Sequence, residues 1–176
     1  MEFTYKKNDN NNLFRNLENS DLTNVSKLQN YIPIYDKFFS LNDTNYNSIN
    51  LNNNSIKSID NKINENKYTA TIIDNSDNDI VKDLFFKYSP LLDPVKYLTG
   101  KYDICDNILE LPTYDKKTGY AKIRDPNNSA YVDGFFSYLS SILLNNYNFI
   151  HGINYYGSLL GIKNSFIYDM NDEIEY

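Results

Sequence analysis

Tyr68-Thr-Ala-Thr-Ile-Ile73 and, beyond an Asp/Asn/Ser cluster, Val81-Lys-Asp-Leu-Phe-Phe-Lys-Tyr88 form the stretch on which the fold turns. The first run is rich in β-branched residues, which suit a pleated, half-buried backbone, and the cluster between the runs consists of residues that favour tight turns. The two runs therefore predict a β-hairpin. A side-chain period of two places Leu84, Phe86 and Tyr88 on one face of the second strand and Asp83, Phe85 and Lys87 on the other. Lys87 is expected opposite Leu84 and Phe86, beside a second aromatic surface. The ordinary role of such a lysine is to lay its stem on apolar surface and keep its ammonium in water.

Downstream, Asp93 precedes Pro94 and Gly100 closes the run, which is the pattern of a short capped helix. Residues 111–119 read as a loop, and Asp125-Pro-Asn-Asn-Ser129 offers turn and cap chemistry ahead of a longer helix. Across Tyr131 to Leu144, Val132, Phe135, Phe136, Leu139 and Leu143 fall at the spacing of one buried stripe, and Asn145-Asn146 make a stop. Phe149 to Gly157 and Ser158 to Ile162 read as apolar strand material broken by glycines. The order from Lys67 predicts an α+β domain with a mainly antiparallel sheet and one principal helix packed across it. The acidic ending Asp172-Glu-Ile-Glu-Tyr176 lacks a closing element, so a truncated or partner-completed unit is expected.

Upstream, composition marks a boundary that charge does not. Asn supplies 29 of the 176 residues, 20 of them in the first 80 positions. From Asn8 to Asn12 and from Asn42 to Asn66, polar residues dominate and the isolated Ile and Leu are too sparse to offset the entropy of ordering, roughly 1–2 kcal/mol per residue. Residues 1–66 are therefore expected to be largely flexible, with an apolar island at 31–39 able to dock on a domain spanning 67–176.

The chain carries 17 Lys and Arg against 23 Asp and Glu, with one Cys and one His. A single Cys105 cannot form an internal disulfide, and with one histidine it cannot complete a Cys/His zinc site. No stretch is apolar for long enough to span a membrane, and no basic cluster exists to neutralise a phosphate backbone, so membrane and nucleic-acid partners are not expected. The first residues lack the apolar core of a secretion signal, which predicts a reducing compartment and a free thiol. Nearby aspartates disfavour a thiolate at Cys105. His151, ahead of Gly152, reads as structural. Gly152, Gly157 and Gly161 match neither phosphate-binding fingerprint, and Asp169, Asp172, Glu173 and Glu175 lack the ligand spacing of a calcium loop. The glycosylation patterns at Asn42, Asn53 and Asn127 are what an Asn-rich chain produces by chance.

The segments Leu84-Phe-Phe-Lys-Tyr-Ser-Pro-Leu-Leu-Asp-Pro-Val-Lys-Tyr-Leu-Thr-Gly-Lys-Tyr102, Asn127-Asn-Ser-Ala-Tyr-Val-Asp-Gly-Phe-Phe-Ser-Tyr-Leu-Ser-Ser141 and Ile153-Asn-Tyr-Tyr-Gly-Ser-Leu-Leu-Gly161 together resemble uncharacterised protein-kinase-like proteins of giant DNA viruses. The likeness covers residues 80–170 and is to the amino-terminal lobe. In such a lobe a strand lysine holds nucleotide phosphates and pairs with an acid on the packed helix. Lys87 matches that strand position, and Asp133 is the acid of the long helix, so the resemblance implies ATP with Mg as cofactor. The chain departs from the pattern in three respects. No Gly-x-Gly-x-x-Gly precedes Lys87, the helix acid is Asp rather than Glu, and neither His-Arg-Asp nor Asp-Phe-Gly occurs. The expectation is thus a binding module without catalysis of its own, in the host cytoplasm or virion, whose partner is another protein or a missing second lobe. The alternatives are a fragment of an active viral serine/threonine kinase and a virion or virus-factory interaction protein without kinase ancestry.

Overall fold

A computed structural model describes residues 5–7, 9–51, 54–74, 76–103, 108–115 and 119–170. The hairpin is present. Strands β5 (Lys67–Ile73) and β6 (Asp79–Phe85) pair antiparallel with Tyr68 opposite Leu84 and Ile72 opposite Ile80. Alternation along β5 buries Tyr68, Ala70 and Ile72 on one face. The turn is made by Asp74, whose Oδ1 accepts from the amides of Ser76 (2.8 Å) and Asn78 (2.9 Å). Those two bonds favour the ionised carboxyl and hold it below its ordinary pKa.

The Asn-rich tract does not behave as the loop its composition suggests. Residues Ser55–Lys62 form strand β4, which lies antiparallel to β5 from Ser55 opposite Ile73 to Lys62 opposite Tyr68. Backbone pairing with an adjoining strand satisfies donors and acceptors whatever the side chains, so few apolar residues are needed. Two register shifts, at Ile56/Ser58 and Ile59/Asn61, interrupt the ladder, and Ile59 is buried within it. Asn11 and Asn12, from the first Asn-rich tract, likewise open helix α1 (Asn11–Glu18), whose Leu13 and Leu17 pack with Ile59, Tyr68, Ala70, Ile72 and Leu84 in one core. The Asn16 side chain caps this contact by accepting from the Ile59 amide at 3.2 Å. The core of the hairpin is therefore closed by residues on both sides of position 66.

A second core forms around the apolar island. Pro33–Lys37 is a 3-10 helix, and Ile32, Ile34, Tyr35 and Phe39 pack with Tyr131, Phe135, Tyr138 and Leu160. Two short strands, β1 (Lys6–Lys7) and β3 (Ile49–Asn50), pair beside it. Helix α4 (Ser129–Tyr147) begins where expected, with Asn128 accepting from the Ala130 amide at 3.1 Å, and ends one residue before Asn148 in a left-handed conformation. Its buried stripe, however, is Tyr131, Phe135 and Tyr138, with Ile142 partly buried in the same core. Val132, Phe136 and Leu143 are exposed, Phe136 at 68%. The helix is turned by about one residue from the expected setting because tyrosines serve as core residues once their hydroxyls are satisfied, as Tyr131 Oη is by donating to the Ile123 carbonyl at 2.8 Å.

Helix α2 (Pro94–Leu98) has the expected Asp93 cap, which accepts from Lys96 N at 3.1 Å, and Gly100 follows with φ +68°. A further short helix, α3 (Ala121–Arg124), contributes Ile123 to a small cluster with Leu92 and Ile108. Strand β7 (Leu160–Lys163) pairs antiparallel with β2 (Val25–Gln29). Residues 149–159, expected as strand, are irregular. Their amides bond to α4 instead: Ile153 N and Tyr155 N donate to the Ser140 and Ser141 hydroxyls, each at 3.2 Å. Gly152 lies so close to α4 that a Cβ would meet the Ser140 carbonyl oxygen at 2.6 Å.

The architecture is α+β with antiparallel sheets, three of them small and separate among the described residues, rather than one sheet with a helix across it. The long helix rests on the 3-10 helix, where Phe38 stacks on Phe135 at 4.2 Å between ring centres. The space between α4 and the β4-β5-β6 sheet is consequently not filled by the helix.

Candidate functional site: a cleft between sheet and helix

That space is a cleft of about 1010 Å3. Its walls include Leu84 to Leu92 at and after the end of β6, Tyr131, Asp133 to Phe135 and Ser137 on α4, and Ile153 to Lys163 on the irregular segment and β7, and they continue along α1, β2 and the 3-10 helix. Most of this lining is apolar or aromatic, with a few polar groups among it, which is the usual constitution of a ligand site.

Lys87 and Asp133 are brought together. Strand β6 ends at Phe85, so Lys87 follows the strand rather than belonging to it, and its Nζ lies 2.7 Å from Asp133 Oδ2 on the first turns of α4. Both side chains line the cleft and both face water, with 63% and 44% of their surfaces exposed. Water screens such a pair, which holds the sheet to the helix only weakly. The face assignment for this segment agrees with the packing: Leu84 is buried, Phe86 packs on Tyr68 at 4.9 Å, and Phe85 is 71% exposed.

Beside this pair lies a group that sequence reasoning did not single out. Lys163, at the end of β7, extends into the cleft with its Nζ 5.0 Å from the centre of the Tyr88 ring. It donates to the Thr23 carbonyl at 2.7 Å. No carboxylate lies within ion-pairing distance of it among the described residues, and burial lowers its pKa, opposed by the more distant charge of Glu65. The Tyr88 hydroxyl shares a hydrogen bond with Tyr68 Oη at 3.2 Å, and burial followed by that bond raises its pKa, so Tyr88 is a neutral ring beneath the ammonium. On the opposite wall Tyr155 Oη donates to Ser158 Oγ at 2.7 Å, and burial pushes this phenol up to about 12. Gly134 permits the close approach here, since a Cβ on it would meet Ser158 Oγ at 3.1 Å. A lysine following Leu-Gly-Ile carries no signal of its partners, because they lie before β2 and after β6, far away in the chain.

Other sequence candidates stay apart from the cleft. His151 is exposed and sits edge-on to Phe149 at 5.6 Å. Asn42 and Asn127 make local turns: Asn42 Oδ1 accepts from the Thr44 amide and hydroxyl, and Asn127 Nδ2 donates to Asp125. Cys105, Asn53 and the acids Asp172, Glu173 and Glu175 lie outside the described residues. Among the described residues no three His, Cys, Asp or Glu side chains are grouped to hold a metal ion, and no helix is long and apolar enough to cross a membrane. In comparisons with known proteins, no family model, curated protein or solved structure matches the chain.

Proposed function

We propose that the chain is a binding module without catalysis of its own, and that its ligand lodges in the cleft between the β4-β5-β6 sheet and α4. The observation that carries this reading is Lys163, a partly buried ammonium over an aromatic ring, with no carboxylate at ion-pairing distance among the described residues, in a cleft lined mostly by apolar and aromatic groups. Burial disfavours the charged amine more than the charge of Glu65 favours it, and an anion placed in contact with the ammonium would restore the balance. The chemistry asks for a ligand with an apolar body and one anionic group. Dodecanoate is a suitable probe. It is expected to raise the melting temperature of the wild-type chain by several degrees, and Lys163→Met is expected to weaken its binding by about tenfold or more, the usual worth of one charge-assisted hydrogen bond. Identical melting with and without dodecanoate would remove the support for this reading.

A second reading has its own observation. The Lys87–Asp133 ion pair at 2.7 Å is the arrangement that the kinase-lobe resemblance asks of a phosphate-holding lysine and a helix acid. On this reading Mg-ATP is the ligand, and catalysis would need a base and a metal-binding acid of the His-Arg-Asp and Asp-Phe-Gly kind, absent from these 176 residues. Lys87→Ala separates the two. Stability without ligand is expected to change by less than about 1 kcal/mol, because the pair is exposed. If Mg-ATP stabilises the wild type and not Lys87→Ala, the nucleotide reading holds. If dodecanoate stabilises both chains and Mg-ATP neither, the apolar anion site holds.

A further inference from the structure

Strand β6 has β5 on one side and no strand on the other among the described residues. The Phe86 amide donates to the Asn66 carbonyl at 2.7 Å, and this fixes the hydrogen-bonding sense of the whole pairing. Leu84, Lys82 and Ile80 turn their backbone groups to β5, whereas Phe85, Asp83, Val81 and Asp79 turn theirs to the open edge. The same four residues share the outer face of the sheet, where Val81 and Phe85 are 66% and 71% exposed. The register with β5 runs without a shift from Asp79 to Phe85, and the strand holds no proline or glycine. Such an edge is a ready template for another strand.

We propose that β6 is a self-association site, at which two copies of this chain pair their β6 strands antiparallel about a twofold axis centred on Asp83. The register is self-complementary. Val81 of each copy stands opposite Phe85 of the other, so the two most exposed apolar residues of the edge cover each other twice. Toward the two ends of the seam lie Asp79, paired with Lys57 of its own sheet, and Lys87, which follows the strand and is paired with Asp133. The backbone sense agrees, because Asp79, Val81, Asp83 and Phe85 present their groups to the open edge. At the axis the two Asp83 side chains meet, and each is already held by Lys67 Nζ at 3.1 Å and Thr69 Oγ1 at 3.0 Å within its own sheet. A twofold pairing shifted one step toward the amino end would set Lys82 against Lys82, Val81 against Asp83 and Asp79 against Phe85. The opposite step sets Asp83 against Phe85 and Val81 against Lys87. Of these three registers, the one centred on Asp83 is that in which Val81 and Phe85 cover each other. This inference concerns the outer edge of the sheet, which meets the cleft at Phe85.

Sedimentation of the full chain over a concentration series tests the proposal. The wild type is expected to pass from monomer to dimer as concentration rises toward about 1 mM, the range of a weak association. Val81→Pro removes an amide that faces the open edge and leaves the bonds between β6 and β5 in place, so it is expected to stay monomeric with an unchanged circular dichroism spectrum. Should proline at this position prevent folding, Phe85→Lys gives the same reading by setting a charge against Val81 of the second copy. A wild type that stays monomeric across the series, or a dimer that persists in a folded variant, overturns the proposal.

Discussion

Tyr68→Ala is expected to lower the free energy of unfolding by about 3–5 kcal/mol, the range for deleting a fully buried aromatic side chain. Tyr68 is 0% exposed and lies at the middle of the first core, between Leu13 and Leu17 of α1, Ile59 of β4 and Leu84 of β6. Its ring packs on Phe86, and its hydroxyl reaches the Glu65 carbonyl at 3.0 Å. About half of the residues that pack in this core come from the Asn-rich half of the chain. Were that half a flexible loop, the inner face of the hairpin would be open to water and the substitution would change stability by well under half as much. Urea denaturation followed by circular dichroism reads the difference directly. Tyr68→Phe is the companion measurement, with an expected loss of about 1 kcal/mol for a hydrogen-bonded hydroxyl whose partners remain.

Phe135→Ala and Phe136→Ala form the second test, and adjacent residues are expected to differ by several kcal/mol. Phe135 is 6% exposed, stacks on Phe38, and contacts Tyr138, so its loss is expected to lower stability by about 3–5 kcal/mol. Phe136 is 68% exposed, and its replacement is expected to stay within about 0.5 kcal/mol of the wild type. Comparable losses at both positions would mean that α4 is seated differently on the 3-10 helix.

These two residues also show where the sequence was legible and where it was not. The hairpin could be read because β-branched alternation and turn chemistry are local, and the caps at Asp93 and Asn128 because a side chain and the amide it holds lie within three residues. The setting of α4 could not, because its surface is apolar on more than one side and the choice between Phe135 and Phe136 is made by Ile34, Tyr35 and Phe38, about a hundred positions away. Strand β4 was hidden for a related reason. Its composition is that of a loop, and its order comes from the β5 backbone beside it and from α1 above Ile59. In the cleft, the Lys87 face followed from strand alternation. Lys163 did not, since its partners Thr23 and Tyr88 come from two other segments.

Mapping the amide chemical shifts of the full chain by heteronuclear NMR during a titration with dodecanoate tests the central claim, that the cleft is the binding site, most directly. The expected result is a saturable set of changes confined to Leu84, Lys87, Tyr88, Gly157, Ser158 and Lys163, with Phe136 and Ile150 on the exposed face of the molecule unaffected, and a marked weakening in Lys163→Met. Changes that gather at Phe136 and Ile150, or that grow without saturation across the whole surface, would contradict it.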